Sequence, residues 1–177
     1  MNIEVEVRSF INENQYQQLL EFFSKEANLI KEDYQESYYF DCPEDLRIQR
    51  NNDGAKIWLK KGEIHDDARE EIEIKVAKED FENLEQLFQT LGYEVEIKWF
   101  RNRSQFKWDD IKVCIDYTKG YGHIIELEKI CQEEDKEKEH QMLMKKLKSL
   151  NIEISSKKSF NEKFEYYKEN WKSLIKA

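Results

Sequence analysis

Apolar and charged residues alternate one for one along much of this chain. In residues 2–10 (NIEVEVRSF), Ile3, Val5 and Val7 take one face, and Glu4, Glu6 and Arg8 take the other. A period of two is that of a β-strand. The pattern recurs at 45–50, where Leu46 and Ile48 oppose Arg47 and Gln49, and at 55–61, where Ile57 and Leu59 oppose Lys56, Trp58 and Lys60. It returns at 69–76 (Ile72, Ile74 and Val76 against Arg69, Glu71, Glu73 and Lys75), at 111–116 and at 123–130. Residues 34–41 and 93–108 also read as strands, the second expected to bend or break within its length. Helical spacing replaces the alternation at 12–27, with Asn12 as N-cap, at 78–92, at 133–149 and near 159–173. The order β-α-β-β-β-β-α-β-β-β-β-α-α predicts an α+β fold, an antiparallel sheet with inserted helices, over a single domain of residues 1–177.

The charged faces decide what kind of sheet this is. The helices offer apolar stripes to cover the aliphatic faces from outside, which turns the charged faces inward if about eight strands close into a barrel. Closure also removes exposed strand edges. An interior lined by Arg, Lys, Glu and Asp cannot be a dry core, because unpaired buried charge is very costly. It suits a wet tunnel holding a polyanion with its metal ions.

Composition agrees that the chain folds. Charged residues reach 38%, yet aromatics reach 13%, which excludes a disordered polyelectrolyte. A net charge of −9 argues against a general nucleic-acid surface, though not against a local basic site. Cys42, Cys114 and Cys131 read as free thiols in a reducing compartment, and no zinc-type cluster is present. The first strand begins at once, without a signal peptide, and no apolar run is long enough for a membrane span. The expectation is a cytoplasmic protein that binds neither nucleic acid nor membrane. A homodimer through a barrel face or the C-terminal helices is possible on these grounds.

Nine elements, in order, carry a family resemblance. Glu4-x-Glu6-x-Arg8 resembles the ExExK signature of the CYTH superfamily, the triphosphate tunnel metalloenzymes. The likeness continues through YYFD (38–41), LRIQR (46–50), IWLKKG (57–62), REEIE (69–73), Arg101-x-Arg103, IDYTKGYG (115–122), IIELE (124–128) and KSFNEKF (158–164). The resemblance implies a closed eight-stranded antiparallel tunnel with helices packed outside. It also implies a triphosphate substrate and Mg²⁺ or Mn²⁺ held by carboxylates. Hard divalent cations do select carboxylate oxygens, and arginine forks match phosphate.

Carried over residue by residue, the resemblance makes Glu4, Glu6, Glu126 and Glu128 metal ligands, with Asp116 either a further ligand or a supporting partner behind them. It makes Arg8, Arg47, Lys56, Lys60, Arg69, Arg101 and Arg103 substrate-binding, with Glu4, Glu6, Arg8 and Lys60 catalytic. Face parity favours Lys60 as the tunnel lysine, while position beside the glycine favours Lys61. Glu71 and Glu73 are alternatively salt-bridge partners that keep the arginines extended. Arg8 in place of lysine, and Gln49 where relatives often carry a basic residue, are departures bearing on substrate choice and rate. The family includes class IV adenylyl cyclases, thiamine triphosphatases and inorganic tripolyphosphatases. The spacing around QESYYFD and KIWLKKG looks most like the cyclase branch, with a triphosphatase or a noncatalytic nucleotide-binding module as alternatives.

Overall fold

The computed structural model describes residues 2–61 and 71–176. Among them, eight strands form one antiparallel sheet: β1 (Asn2–Ile11), β2 (Asn28–Phe40), β3 (Asp45–Arg50), β4 (Ala55–Lys60), β5 (Glu71–Val76), β6 (Val95–Trp108), β7 (Ile111–Thr118) and β8 (Gly122–Gln132). The α-helices are α1 (Glu13–Glu26), α2 (Phe81–Thr90), α3 (Lys136–Ser149) and α4 (Lys157–Leu174). The Asn12 cap forms as expected: its side chain accepts from the Gln15 N–H while Gln15 reaches back to the Asn12 N–H. The break expected within 93–108 is absent. β6 is one strand, and the register shifts of that ladder fall between Leu29 and Lys31 and between Tyr39 and Phe40 on β2. β2 itself begins at Asn28, six residues before the alternation becomes legible.

The sheet order is β1-β8-β7-β6-β2-β3-β4-β5, so β1 and β5 stand at opposite ends, with no ladder between them among the described strands. The closed barrel expected from the sequence is therefore not formed; the sheet is an open trough. Part of the edge of β1 is taken by the connection before α4. There the Phe10 N–H donates to Ser155 Oγ (3.0 Å), and the Ser155 N–H donates to Ser9 Oγ (2.9 Å). An open side also lets water reach the inward charges.

Three helices lie outside, as expected. α1 and α3 bury Leu19, Phe23, Leu143 and Leu147 against Val5, Val7, Val113, Ile125 and Leu127. α2 places Phe81 and Leu84 on Tyr38, Phe40 and Ile48. α4 departs from that expectation, because it packs on the inner face. Its Phe160, Phe164, Tyr167 and Trp171, at helical spacing, meet Ile97, Ile124 and Tyr121, with Phe10, Tyr39 and Trp99 beside them. Phe10, Tyr39 and Trp99 follow the inward rows of β1, β2 and β6, so those rows become aromatic near one end, while β8 contributes Ile124 and the β7–β8 turn Tyr121. The polar tips are satisfied: Tyr167 Oη donates to the Lys98 carbonyl (2.9 Å) and Trp171 Nε1 to the Glu96 carbonyl (2.8 Å). The end of α4 seats on the β7–β8 turn at Gly120 (φ +75°), where an added Cβ would lie 2.7 Å from the Leu174 Cβ. The result is a trough with an aromatic floor at one end. No described helix is long and apolar enough to cross a membrane.

Candidate active site

The trough holds a cavity of about 400 Å³ against the floor. β1 contributes Glu4, Glu6 and Arg8, β8 contributes Glu126 and Glu128, and β6 contributes Arg101 and Arg103. From the facing wall come Arg47, Trp58 and Lys60, and from β7 comes Lys112. Alternation on antiparallel strands is what brings them together. Glu6 pairs with Glu128 and Arg8 with Glu126 across the β1–β8 ladder, which stacks like-sided carboxylates on adjacent strands.

The arginines are held by neighbours that point them. Arg103 donates from Nε to Asp116 Oδ1 (2.8 Å) and from Nη2 to Asp116 Oδ2 and Glu126 Oε2 (2.5 Å each). Arg101 donates to Gln35 Oε1 from Nε and Nη2 (2.9 and 2.5 Å) and approaches Asp116 at 3.4 Å. Asp45 grips Arg47 bidentately at 2.5 Å, and the guanidinium lies over the Tyr39 ring at 4.1 Å. Arg8 lies over the Phe160 ring at 4.6 Å and 3.5 Å from Glu6. Lys60 sits 4.0 Å from the centroid of Trp58, whereas Lys61 is exposed.

Order along the strands is informative. Away from the floor, β1 reads Phe10, Arg8, Glu6, Glu4, β8 reads Ile124, Glu126, Glu128, and β6 reads Trp99, Arg101, Arg103. The arginines thus follow directly on the aromatic floor, and the carboxylates of Glu4, Glu6 and Glu128 stand beyond them. Those three carboxylates offer oxygens within 4.8 Å of one another. Burial, then the Glu126 charge, pushes the Glu6 carboxyl up to about 7. Oxygen donors that crowd and repel in this way fit a hard divalent cation. Cys114 forms a second cluster with Glu126 and Glu128. Burial first, outweighing the pull of Arg103, raises its thiol far above the ordinary range and keeps it protonated, a poor partner for such a cation. Burial alone would raise Glu126, but Arg103, Arg101 and Arg8 outweigh it and hold that group below the usual carboxylate range.

Of the residues expected in the site, Asp116 takes the supporting place that was its alternative, and Lys56 stands elsewhere. Asp116 is buried behind the arginines, paired with Arg103 and Arg101 and outside both carboxylate clusters. Lys56 lines a neighbouring cavity and pairs with Glu73 at 2.7 Å, so Glu73 partners a lysine. Arg69 lies outside the described residues. The sequence reading missed Gln35 and Asp45, which hold Arg101 and Arg47, and the floor of Phe160, Phe164, Tyr121 and Trp99. The i, i+4, i+7, i+11 spacing in the last helix was the available signal for that floor.

The CYTH domain profile matches residues 2–164. A Methanocaldococcus jannaschii protein named "Putative adenylate cyclase" is 35% identical over 163 residues, which span 85% of this chain and 90% of that protein. A conserved hypothetical protein from Pyrococcus furiosus superposes with a TM-score of 0.69 at 20% identity, over 85% of this chain and 91% of its own. A Hippeastrum protein described as a "Putative adenylyl cyclase" with a dominant triphosphatase activity superposes with a TM-score of 0.66 at 19% identity, over 90% and 94%. At these identities the two solved structures speak for the fold.

Proposed function

The chain belongs to the CYTH family, and we propose on that footing that it is a divalent-metal-dependent enzyme converting ATP to cyclic AMP and pyrophosphate. The observation that carries this reading is the order of charges in the trough: floor, arginines, then the Glu4–Glu6–Glu128 carboxylates. Arg8, Arg47, Arg101, Arg103 and Lys60 hold the terminal phosphates near the floor, each guanidinium offering a fork to phosphate oxygens. Glu4, Glu6 and Glu128 then flank the phosphate nearest the attached group, which is where cyclisation occurs. A divalent ion held by these carboxylates supplies charge neutralisation at the reacting phosphate. In the step, the ribose 3′-oxygen bonds to the α-phosphorus and passes its proton to water admitted by the open side. The bond from that phosphorus to the bridging oxygen breaks, and pyrophosphate leaves into the arginine cluster. The arginines bind both the triphosphate and the growing charge on the leaving group. Asp116, Gln35 and Asp45 position them.

Hydrolysis is the second reading, favoured by the open side between β1 and β5, which admits water to the same phosphates. Incubation with ATP, thiamine triphosphate and tripolyphosphate in Mg²⁺ or Mn²⁺, with products separated chromatographically, tests both. Cyclic AMP with pyrophosphate supports the cyclase, orthophosphate supports the hydrolase, and the absence of any product overturns the catalytic reading.

A further inference from the structure

A second cavity, about 480 Å³, lies in the trough on the side away from α4, and Gln49 lines both cavities. We propose that this second cavity receives the nucleoside carried by the triphosphate, with Gln105 and Lys75 as the side chains that read it. The proposal rests on the triphosphate reading above.

Direction is the first argument. Phe160 and Phe164 close the arginine end, so a bulky group attached to the triphosphate is directed the other way. On β3 that path runs from Arg47 through Gln49 to Asn51, on β6 from Arg103 to Gln105, and on β4 from Lys60 to Lys56.

Charge is the second. Lys31, Lys56 and Lys75 are matched in the lining by Asp33, Asp53 and Glu73. Lys31 is engaged by both aspartates (3.3 and 2.5 Å) and Lys56 by Glu73. A continuing polyphosphate would meet as many carboxylates as ammonium groups, so the cavity suits a group without net charge. No aromatic side chain is among its described lining residues, so it offers no cage for a thiazolium cation. It offers hydrogen bonds instead.

Availability is the third. Gln35 is committed to Arg101 and Asp33, and Asn51 to Asp33 and to the turn N–H groups of Asp53 and Gly54. Among the described residues, the hydrogen-bond partner of Gln105 Nε2 is the Cys114 sulfur, at 3.9 Å. A glutamine amide presents a donor and an acceptor side by side, which matches base heteroatoms and ribose hydroxyls. Lys75 lines the same cavity from an exposed position on β5.

The experiment titrates the Mg²⁺-loaded protein with two non-cleavable ligands: ATP with methylene groups at both phosphate bridges, and the matching bis-methylene triphosphate without a nucleoside. Gln105→Leu is expected to weaken the nucleotide analogue about tenfold and Lys75→Ala about threefold, with triphosphate affinity unchanged within about twofold. Lys75→Ala keeps the test decisive should Gln105→Leu fail to fold. Equal losses for both ligands, or no loss of nucleotide affinity in the folded variants, overturns the proposal. Wild-type protein that binds the triphosphate but not the nucleotide overturns this inference alone. Wild-type protein that binds neither overturns the triphosphate reading with it.

Discussion

The two walls of the trough differ in what stands behind them. β1, β8, β7 and β6 run from 8 to 14 residues, with α1 and α3 packed outside β1, β7 and β8. Their inward charges are joined directly, Arg103 to Asp116 and Glu126, and Lys112 to Glu128. β3, β4 and β5 have six residues each and only α2 behind them. Ile72 and Ile74 on the outer side of β5 remain 46% and 54% exposed. Inside this thinner wall, Lys56 and Lys60 rest on the Trp58 ring. A thick apolar backing lowers the local dielectric, so charges there must be paired and are fixed by their partners. The thin wall keeps its cations paired as well, Arg47 to Asp45 and Lys56 to Glu73, and adds the Trp58 ring beneath its lysines.

Breaking the thick wall has the largest expected effect. Arg103→Met strands Asp116 and Glu126 without their shared cation and is expected to cost about 3–5 kcal/mol by urea unfolding. Lys60→Met on the opposite wall is expected to cost under about 1 kcal/mol while raising KM. Comparable losses for the two would erase the distinction between the walls.

Next come the carboxylates. Glu4→Gln and Glu6→Gln are nearly isosteric and are each expected to lower turnover by about 10²–10³ without lowering the melting temperature. Wild-type rates and metal dependence in both variants would remove these residues from the metal site.

A smaller effect is a pH dependence of the metal-free protein. Glu6 has its carboxyl raised from the ordinary 4.5 to about 7 in the folded state. The folded form therefore holds the proton more tightly than the unfolded chain. The resulting stabilisation is full below about pH 4.5 and is lost as pH rises through 7. Because Glu6 is partly open to solvent, about 1–2 kcal/mol is expected rather than the full shift. Melting curves in a chelator between pH 5 and 7.5 check this, and Glu6→Gln should flatten the slope.

The smallest effect concerns the bare outer face. Ile74→Thr is expected to change stability by no more than about 0.5 kcal/mol, because little apolar contact is lost. A loss above about 1.5 kcal/mol would mean that something covers β5 in solution.

Much of this was readable from alternation alone. Strict period-two runs such as Ile3–Arg8 and Ile111–Asp116 declared both the strands and the face each residue takes. Alternation put Glu4, Glu6, Arg8, Arg47, Lys60, Glu126 and Glu128 on charged faces, the family resemblance added Arg101 and Arg103, and all nine line one cavity. Three things were hidden. The start of β2 is written in residues such as Asn28, Lys31 and Glu32, which have no buried face to betray them. The inner seat of α4 depends on the inward rows of β1, β2 and β6 becoming aromatic near one end, as from Arg8 to Phe10, which no single strand makes conspicuous. The open side comes with a tertiary contact on the edge of β1, Ser9 and Phe10 with Ser155, between residues far apart in sequence.

That the first strand pairs with the last has a consequence for how the protein is made. Glu6 meets Glu128 only after nearly the whole chain between them has been synthesised and ordered. Closing so long a loop is slow, and the ladder it permits belongs to the late part of folding. An ion bound by carboxylates from both strands therefore has little to hold in the early, partly folded chain. It rewards the finished state, so it slows unfolding more than it hastens folding. The protein's lifetime, rather than its speed of assembly, is what such an ion governs.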